Sequence, residues 1–148
     1  MDMSGFGGLL AFVLGWLVAQ TGKLLGDLVM ARGRMSFKQT VACFVRSGGM
    51  PSGHTASFSG LVTYLIIKNG IFANITVLAL AMAIIVIYDA MNVRYAVGEQ
   101  GKLLNVMAAA DKTGKSKKLR VVEGHTLPQV IVGAIIGIMI GLFCGFVL

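Results

Sequence analysis

Long runs of uncharged, apolar residues constrain the fold of this chain more than any other feature. Residues 3–22, 69–88 and 126–148 contain no charged side chain, and roughly 20 helical residues suffice to cross the hydrocarbon core of a bilayer. The 148 residues are 56% hydrophobic and only 13% charged, with a mean hydropathy of +0.82. A soluble domain of this size carries more charge than that. The sequence therefore predicts an all-α integral membrane protein that forms one domain over residues 1–148.

A fourth apolar stretch lies between Arg46 and Lys68, but its first part contains helix-breaking residues. Residues 47–54 read Ser-Gly-Gly-Met-Pro-Ser-Gly-His, and only Thr55 to Ile67 is continuous helical sequence, too short for a full crossing. Irregular backbone is tolerated at membrane depth only where protein covers it or a polar cavity adjoins it. We therefore expect a four-segment helical bundle with a re-entrant, glycine-rich stretch before the second span. The spans are expected near 3–28, 55–70, 71–94 and 126–148, with an amphipathic link at 29–54 and a basic link at 95–125.

The basic residues predict the orientation of these spans. Twelve of the thirteen lysines and arginines fall on or beside the two links, and Lys68 is alone on the other side. Because cytoplasmic loops collect lysine and arginine, we expect both links to face the cytoplasm, in a multi-pass protein of the cell membrane. The formal net charge of +7 is attributed to anionic lipid headgroups and to this orientation, and no nucleic-acid partner is expected.

Small residues recur every four positions in the first and last spans. The stripes are Gly7, Ala11, Gly15 and Ala19 in the first span, and Gly133, Gly137, Gly141 and Gly145 in the last. Small residues at this spacing let helix backbones approach closely in lipid, where packing must drive helix association. Two interpretations stay open: packing within one chain, or the seam of a homodimer.

The unusual polar residues near the apolar segments all fall at the ends predicted to be cytoplasmic. Ionisable groups at such positions are costly unless they are paired or functional, so their convergence predicts a shared site at this membrane face. The residues are Lys23, Asp27, Arg46, His54, Asp89, Arg94 and His125.

Residues 51–55, Pro-Ser-Gly-His-Thr, have the chemistry of an anion-binding turn. The nearby glycines permit close approach of the backbone, the helix that follows offers unsatisfied N–H groups, and Ser52 adds a hydroxyl donor. His54 supplies a group that changes charge near neutral pH. The alternative is a turn that merely caps a helix.

Three spaced motifs resemble a known enzyme superfamily. They are residues 46–54, Arg-Ser-Gly-Gly-Met-Pro-Ser-Gly-His; residues 88–94, Tyr-Asp-Ala-Met-Asn-Val-Arg; and residues 124–126, Gly-His-Thr, followed by Val-Ile-Val-Gly at 130–133. In this order they resemble the divergent branch of the type-2 phosphatidic acid phosphatase superfamily, which also includes vanadium-dependent haloperoxidases. The resemblance extends from residue 20 to the last span.

The resemblance implies a mechanism and a set of site residues. In that superfamily one histidine attacks phosphorus to form a phosphohistidine, a second histidine protonates the leaving oxygen, and no metal is required. For this chain it implies His125 as the nucleophile and His54 as the general acid, with no cofactor. The implied phosphate-binding residues are Ser52, Gly53, Arg94, Arg46 and Lys23.

The chain also departs from the superfamily's pattern. No lysine is followed by Arg-Pro, and Arg94 precedes His125 by 31 positions instead of a few. Where the superfamily places an acid four residues after this histidine, the chain has Gln129, which can orient the imidazole but supplies no charge. Asp89 or Glu123 is the candidate substitute for that carboxylate.

Hypotheses from different functional classes follow. The first is a membrane-embedded phosphatase acting on phosphatidylglycerol phosphate, phosphatidic acid or a polyprenyl phosphate. The second is a non-catalytic lipid-phosphate binding or transport protein that has kept the pocket, and the third is a structural helix-packing protein. The expected partners are the bilayer, one of these lipids and, through the glycine-rich spans, a second copy of the chain.

Overall fold

The computed structural model describes residues 3–45, 48–110, 119, 121 and 124–148, and within these ranges the chain is helical with short turns and no β-strand. The predicted all-α membrane fold is confirmed. The helices are α1 (Met3–Met30), α2 (Phe37–Val45), α3 (Gly53–Asn69), α4 (Asn74–Tyr88), a π-helix (Asp89–Val93), α5 (Arg94–Ala110) and α6 (Leu127–Val147).

Three continuous helices in the described part of the chain are long and apolar enough to cross a membrane. They cover Gly5–Met30, Asn74–Ala110 and Leu127–Val147. The fourth predicted segment, α3, has 17 residues, or about 25 Å of helix. It packs against α1, α4 and α6, so protein surrounds it on several sides. This position explains why α3 carries Ser, Thr and Gly among its buried residues, whereas α4 and α6 are almost wholly apolar.

The glycine stripe of α6 packs against α3 of the same chain. A Cβ atom at Gly133 would lie 2.5 Å from the carbonyl oxygen of Ser52, and one at Gly137 would lie 2.3 Å from the carbonyl oxygen of Ala56. Side chains at these positions would therefore force the two backbones apart. Of the two interpretations of the stripe, this arrangement is packing within one chain. A homodimer, which stays a prediction, would have to use other surfaces.

The small-residue stripe of α1 meets α3 on another side. A Cβ atom at Gly15 would lie 2.6 Å from the carbonyl oxygen of Ala56, and Ala11 and Ala19 are fully buried. The backbone around Ala56 is therefore held between α1 and α6. This contact fixes the depth at which the first turn of α3 lies.

The glycine-rich stretch before α3 is irregular, as predicted. α2 runs back along α1, so that Phe44 packs edge-on against Trp16 at 5.6 Å between ring centroids and its carbonyl oxygen accepts a hydrogen bond from the Gln20 side chain. These partners lie at least ten residues before the end of α1, which is about 15 Å along its axis. The segment 48–52 then enters α3 at the level of Trp16 and Gly22.

The predicted link 95–125 is partly helical. The chain continues from α4 through the π-helix into α5 without a break, as far as Ala110. The side-chain amide of Asn105 binds the backbone of Leu119 through two hydrogen bonds of 2.7 and 3.0 Å. Leu119 is thereby held beside α5.

Candidate functional site

The turn before α3 is built by two glycines and a capping serine. Gly48 and Gly49 have φ angles of 89° and 81°, which side chains rarely adopt. Ser52 is the N-cap of α3, and its hydroxyl oxygen accepts hydrogen bonds from the backbone N–H of Thr55 (3.4 Å) and from the Thr55 hydroxyl (2.9 Å). An N-cap of this kind satisfies donors that the helix itself leaves unpaired.

The polar groups of Ser52 thus have protein partners. Besides the cap contacts, its backbone N–H donates to the carbonyl oxygen of Gln129 at 3.0 Å, and the side chain is fully buried. Gly53 is also buried, against Trp16. In this arrangement the Pro-Ser-Gly turn locks α3 to α6 and α1, and His54, which follows it, is the exposed member of the motif.

His125 is held at the start of α6 by the π-helix. Its backbone N–H donates to the carbonyl oxygen of Ala90 at 2.9 Å. The preceding Gly124 approaches the same segment so closely that a Cβ atom there would lie 2.3 Å from the backbone nitrogen of Tyr95. The side chain of His125 is buried, with 4% of its surface exposed.

The side chains of His54 and His125, near the starts of α3 and α6, lie close together in an edge-to-face arrangement. The centroids of the His54 and His125 rings are 6.4 Å apart. At this separation ring nitrogens from both residues can contact one small anion. The ends of α3 and α6 therefore bring the two imidazoles close together.

Gln129 contacts the Nδ1 atom of His125. Its Oε1 atom accepts the backbone N–H of Thr126 at 3.1 Å, as in a capping box, and the same oxygen lies 3.1 Å from Nδ1 of His125. Because an amide oxygen only accepts hydrogen bonds, this contact favours the tautomer that is protonated at Nδ1. In that tautomer the lone pair of the neutral ring lies on Nε2.

The π-helix explains how Asp89 and Arg94 pair across five positions. In an α-helix residues three or four apart share a face, and a spacing of five fits poorly. Here the helix widens, the backbone N–H of Arg94 donates to the carbonyl oxygen of Asp89, and Nε of Arg94 lies 2.6 Å from Oδ2 of Asp89. Single π-turns of this kind are rare in proteins as a whole, but those that occur are often found at functional sites. Both side chains remain partly exposed.

Lys23 approaches the histidines from α1. Its ammonium donates to Oε1 of Gln20 at 2.8 Å, and both residues are 4% exposed. A buried ammonium is costly without partners, so Gln20 helps to keep this cation at the site. Lys23 lies close enough to both imidazoles to act on their electrostatics.

Electrostatic interactions tie these groups together. Both histidines lie outside the three long apolar helices. Partial burial lowers the pKa of His54, the charges of Arg94 and Lys23 lower it further, and Asp89 opposes them. Burial also lowers the pKa of His125, as do the charges of Lys23 and His54, whereas hydrogen bonds to Gln129 and to the Gly49 backbone raise it. The net effect on both imidazoles favours their neutral forms.

The structure brings most of the predicted site residues together. His54, His125, Lys23, Asp89 and Arg94 meet at one end of the helices, and Gln129 contacts His125. Asp89 pairs with Arg94, whereas Gln129 is the residue at Nδ1 of His125. Arg46 and Glu123 lie outside the described residues.

Four contributors were absent from the sequence-based site, two through their side chains and two through their backbone. Gln20, which holds Lys23, lies three residues before it on the same helix face, a spacing that indicates contact. Thr126 with Gln129 forms the Thr-x-x-Gln pattern of a capping box, and this pattern was readable from the sequence. Gly49 and Ala90 contribute backbone groups that carry no such signal. Among the residues that the structure describes, no three histidine, cysteine or carboxylate side chains are arranged to hold a metal.

Comparisons with known proteins place this chain in a family. A family model described as the Divergent PAP2 family matches residues 7–140, a range that contains every site residue named above. An uncharacterized membrane protein of Bacillus subtilis (strain 168), YuiD, is 30% identical over 115 residues, covering 68% of this chain and 72% of the relative. No solved structure matches the chain. The chain is a membrane protein that belongs to the Divergent PAP2 family.

Proposed function

We propose that the protein is a membrane-embedded phosphatase that hydrolyses a lipid phosphate through a phosphohistidine intermediate. The observation that carries this proposal is the pair of imidazoles 6.4 Å apart, with the cations Lys23 and Arg94 beside them. Phosphoryl transfer needs positioning and cationic stabilisation more than elaborate bond chemistry, and this site offers both.

Each group has a role in the proposed reaction. Nε2 of His125 attacks phosphorus while the bond from phosphorus to the lipid oxygen breaks, and His54 donates its proton to that oxygen. A water molecule then attacks the phosphohistidine and gives a proton to His54, which releases inorganic phosphate and restores both imidazoles. Lys23 and Arg94 stabilise the charge on the non-bridging oxygens. Asp89 holds Arg94 in place and favours the protonated form of His54.

The proposed substrate class is a phosphate monoester or pyrophosphate on a membrane lipid. Phosphatidylglycerol phosphate, phosphatidic acid and a polyprenyl phosphate all present such a group at the edge of a bilayer. The basic residues on the links favour a site that faces the cytoplasm. A lipid in the cytoplasmic leaflet of the cell membrane could then reach the histidines with its chains still in the bilayer.

A second candidate function is binding or transport of a lipid phosphate without turnover. Gln129 favours it, because an amide at Nδ1 of His125 cannot stabilise the imidazolium as a carboxylate does. Phosphate binding by Lys23, Arg94 and His54 would survive that loss.

The experiment that separates these functions uses the purified protein in detergent. Incubation with a lipid phosphate labelled on its terminal phosphoryl group should release inorganic phosphate. Rapid quenching at alkaline pH should trap an acid-labile phosphoprotein, which peptide mapping should locate at His125. Saturable binding of the lipid without release or phosphoprotein would favour the second function and contradict the first.

Replacing Gln129 by glutamate should raise activity and shift its pH dependence. The introduced carboxylate retains the acceptor of the capping box, and its negative charge raises the pKa of His125. We expect kcat to rise by about tenfold, which corresponds to about 1.4 kcal/mol, and the acid limb of the pH profile to move to higher pH. The measurement is phosphate release between pH 5 and 9, roughly the range in which histidine titrates. Q129L should lower kcat, and an unchanged profile in Q129E would argue against His125 as nucleophile.

A further inference from the structure

The helix that contains α4 and α5 is longer than a membrane crossing requires. It runs without a break for 37 residues, from Asn74 to Ala110, which is about 55 Å. A straight helix of this length would have to tilt by about 57° to stay within a hydrocarbon core of roughly 30 Å, whereas transmembrane helices tilt by up to about 40°. About 20 residues suffice for one crossing, and counted from Asn74 they end at Val93, beside the ion pair of Asp89 and Arg94. The helix α5, which follows, therefore extends beyond the core.

α5 nevertheless exposes a broad apolar face. Four side chains along it expose between 50% and 62% of their surface: Val93, Val97, Leu104 and Met107. Leu103 lies beside them and is exposed as well. Beyond the hydrocarbon core these side chains would face water in a single copy of the protein. A contiguous apolar surface of this kind indicates contact with another molecule.

The apolar face lies on the side of α5 that is turned away from residues 119–126. On the inner side, a Cβ atom at Gly101 would lie 3.2 Å from the side chain of Val121, and Asn105 binds the backbone of Leu119. Gly98 is buried on this same side. Because successive residues turn by about 100°, Met107 lies about 180° around the helix from Gly98. The apolar face is therefore free to meet a partner.

Five residues along this face follow the spacing of a coiled-coil seam. Here called the α5 seam, they are Val93, Val97, Gln100, Leu104 and Met107. Successive members are four, three, four and three residues apart, the alternation by which two helices pack side by side. Packing on the bilayer surface would instead require α5 to turn away from the axis of α4, with which it is continuous. A second helix of the same kind is the partner that fits.

The chemistry of the α5 seam suits a second copy of this chain. Two copies in one membrane point the same way, so a twofold axis runs along the membrane normal and the two α5 helices are parallel. Each seam residue then meets its own copy, and a charge there would face a like charge. The seam has none, and the charged residues Arg94, Glu99 and Lys102 lie on other faces of α5. Gln100 can hydrogen-bond to its copy because an amide both donates and accepts, and a single polar residue in such a seam specifies the register.

We infer that α5 is a dimerisation helix, whose seam packs against the same seam of a second copy beyond the hydrocarbon core. This surface differs from the glycine stripes, which pack within one chain. The inference goes beyond the proposed function and does not rest on it. All the groups proposed to act on phosphate belong to one chain, so phosphate release does not require the second copy.

Cysteine cross-linking of the full chain in lipid vesicles tests the inference. Leu104 belongs to the α5 seam, and Val106, which is also exposed, lies about 200° further around the helix. Under mild oxidation we expect L104C to form a disulfide-linked dimer about tenfold more than V106C, because residues of the seam come within disulfide reach of their copies. The wild type, which carries Cys43 and Cys144, measures the background.

A charge in the α5 seam provides a second test, without cross-linking. L104E places two carboxylates opposite each other, and we expect it to raise the dissociation constant of the dimer at least about 100-fold, since facing like charges disfavour association. V106E should dimerise like the wild type. Single-molecule photobleaching of labelled protein diluted in vesicles counts the dimers, and circular dichroism checks that both variants keep their helices.

Three results would overturn the inference. They are a wild type that is monomeric in the vesicles, equal cross-linking of L104C and V106C, and a monomeric L104C whose thiol is shielded by lipid from a water-soluble maleimide. The last result would assign the apolar face to the bilayer surface. If L104E does not fold, the comparison of L104C with V106C decides the question.

Discussion

Alanine in place of His125 is expected to lower phosphate release from a lipid phosphate by at least about 10³-fold, because it removes the proposed nucleophile. His54→Ala should lower release by about 10²–10⁴-fold, since a general acid contributes this much when the leaving oxygen needs a proton. The two variants should differ on an aryl phosphate, whose leaving group departs without protonation. H54A should recover much of its activity on that substrate, and H125A should not.

Controls distinguish loss of chemistry from loss of fold. Both variants keep Lys23 and Arg94, so they should bind the lipid phosphate with affinity near that of the wild type. Gln100→Ala, an exposed change on α5, should leave release unchanged. The labelled phosphoprotein should disappear in H125A and persist in H54A with the aryl phosphate. Equal release by wild type, H125A and H54A would refute the histidine mechanism.

The second large effect is expected from Gly137→Ala in the contact between α3 and α6. The added methyl would lie 2.3 Å from the carbonyl oxygen of Ala56, 2.8 Å from Cβ of Ser59 and 2.9 Å from the backbone nitrogen of Gly60. Two of these neighbours are backbone atoms, which move only if the helices separate. We expect destabilisation of about 3 kcal/mol or more, at the upper end of the cost of overpacking.

Thermal denaturation in detergent measures this effect. The fraction of monodisperse protein after heating, followed by size-exclusion chromatography, should fall at a markedly lower temperature in G137A than in the wild type. Gly26→Ala, the matched change at a position without neighbours, should denature with the wild type. Equal midpoints for G137A and the wild type would show that α3 and α6 are not packed at this glycine.

The polar site was predictable where its signal is local or follows from topology. An apolar segment must cross the bilayer, and a polar residue at its edge must lie at one membrane face. The alternating direction of the segments then brings His54, Asp89 and His125 to the same face. This prediction required no knowledge of contacts between side chains. The glycine-rich turn before α3 was predictable for a similar reason, because Gly48, Gly49 and Pro51 cannot continue a helix.

Other features depend on contacts between distant residues. Asp89 and Arg94 are five positions apart, a spacing that does not favour an ion pair in an α-helix. Their contact therefore requires the π-helix. In the π-helix, the carbonyl oxygen of Ala90 in turn accepts a hydrogen bond from the backbone N–H of His125, which lies 35 positions later in the sequence. The hydrophobic pattern also left open which helix is central, because α4 and α6 are more apolar than α3. Close backbone contact selects α3, where glycines of α1 and α6 meet it.

The sequence by itself determined the all-helical membrane fold, the irregular turn before α3 and the gathering of polar residues at one end. These features follow from local hydrophobicity and from the cost of placing charge in lipid. Both are set by the residues of each segment alone. Only the tertiary structure decided the π-turn, the partner of His125 at Nδ1 and the assignment of the glycine stripes to α3. These depend on how closely particular backbones approach each other, and that distance is set by the packing of all the helices together.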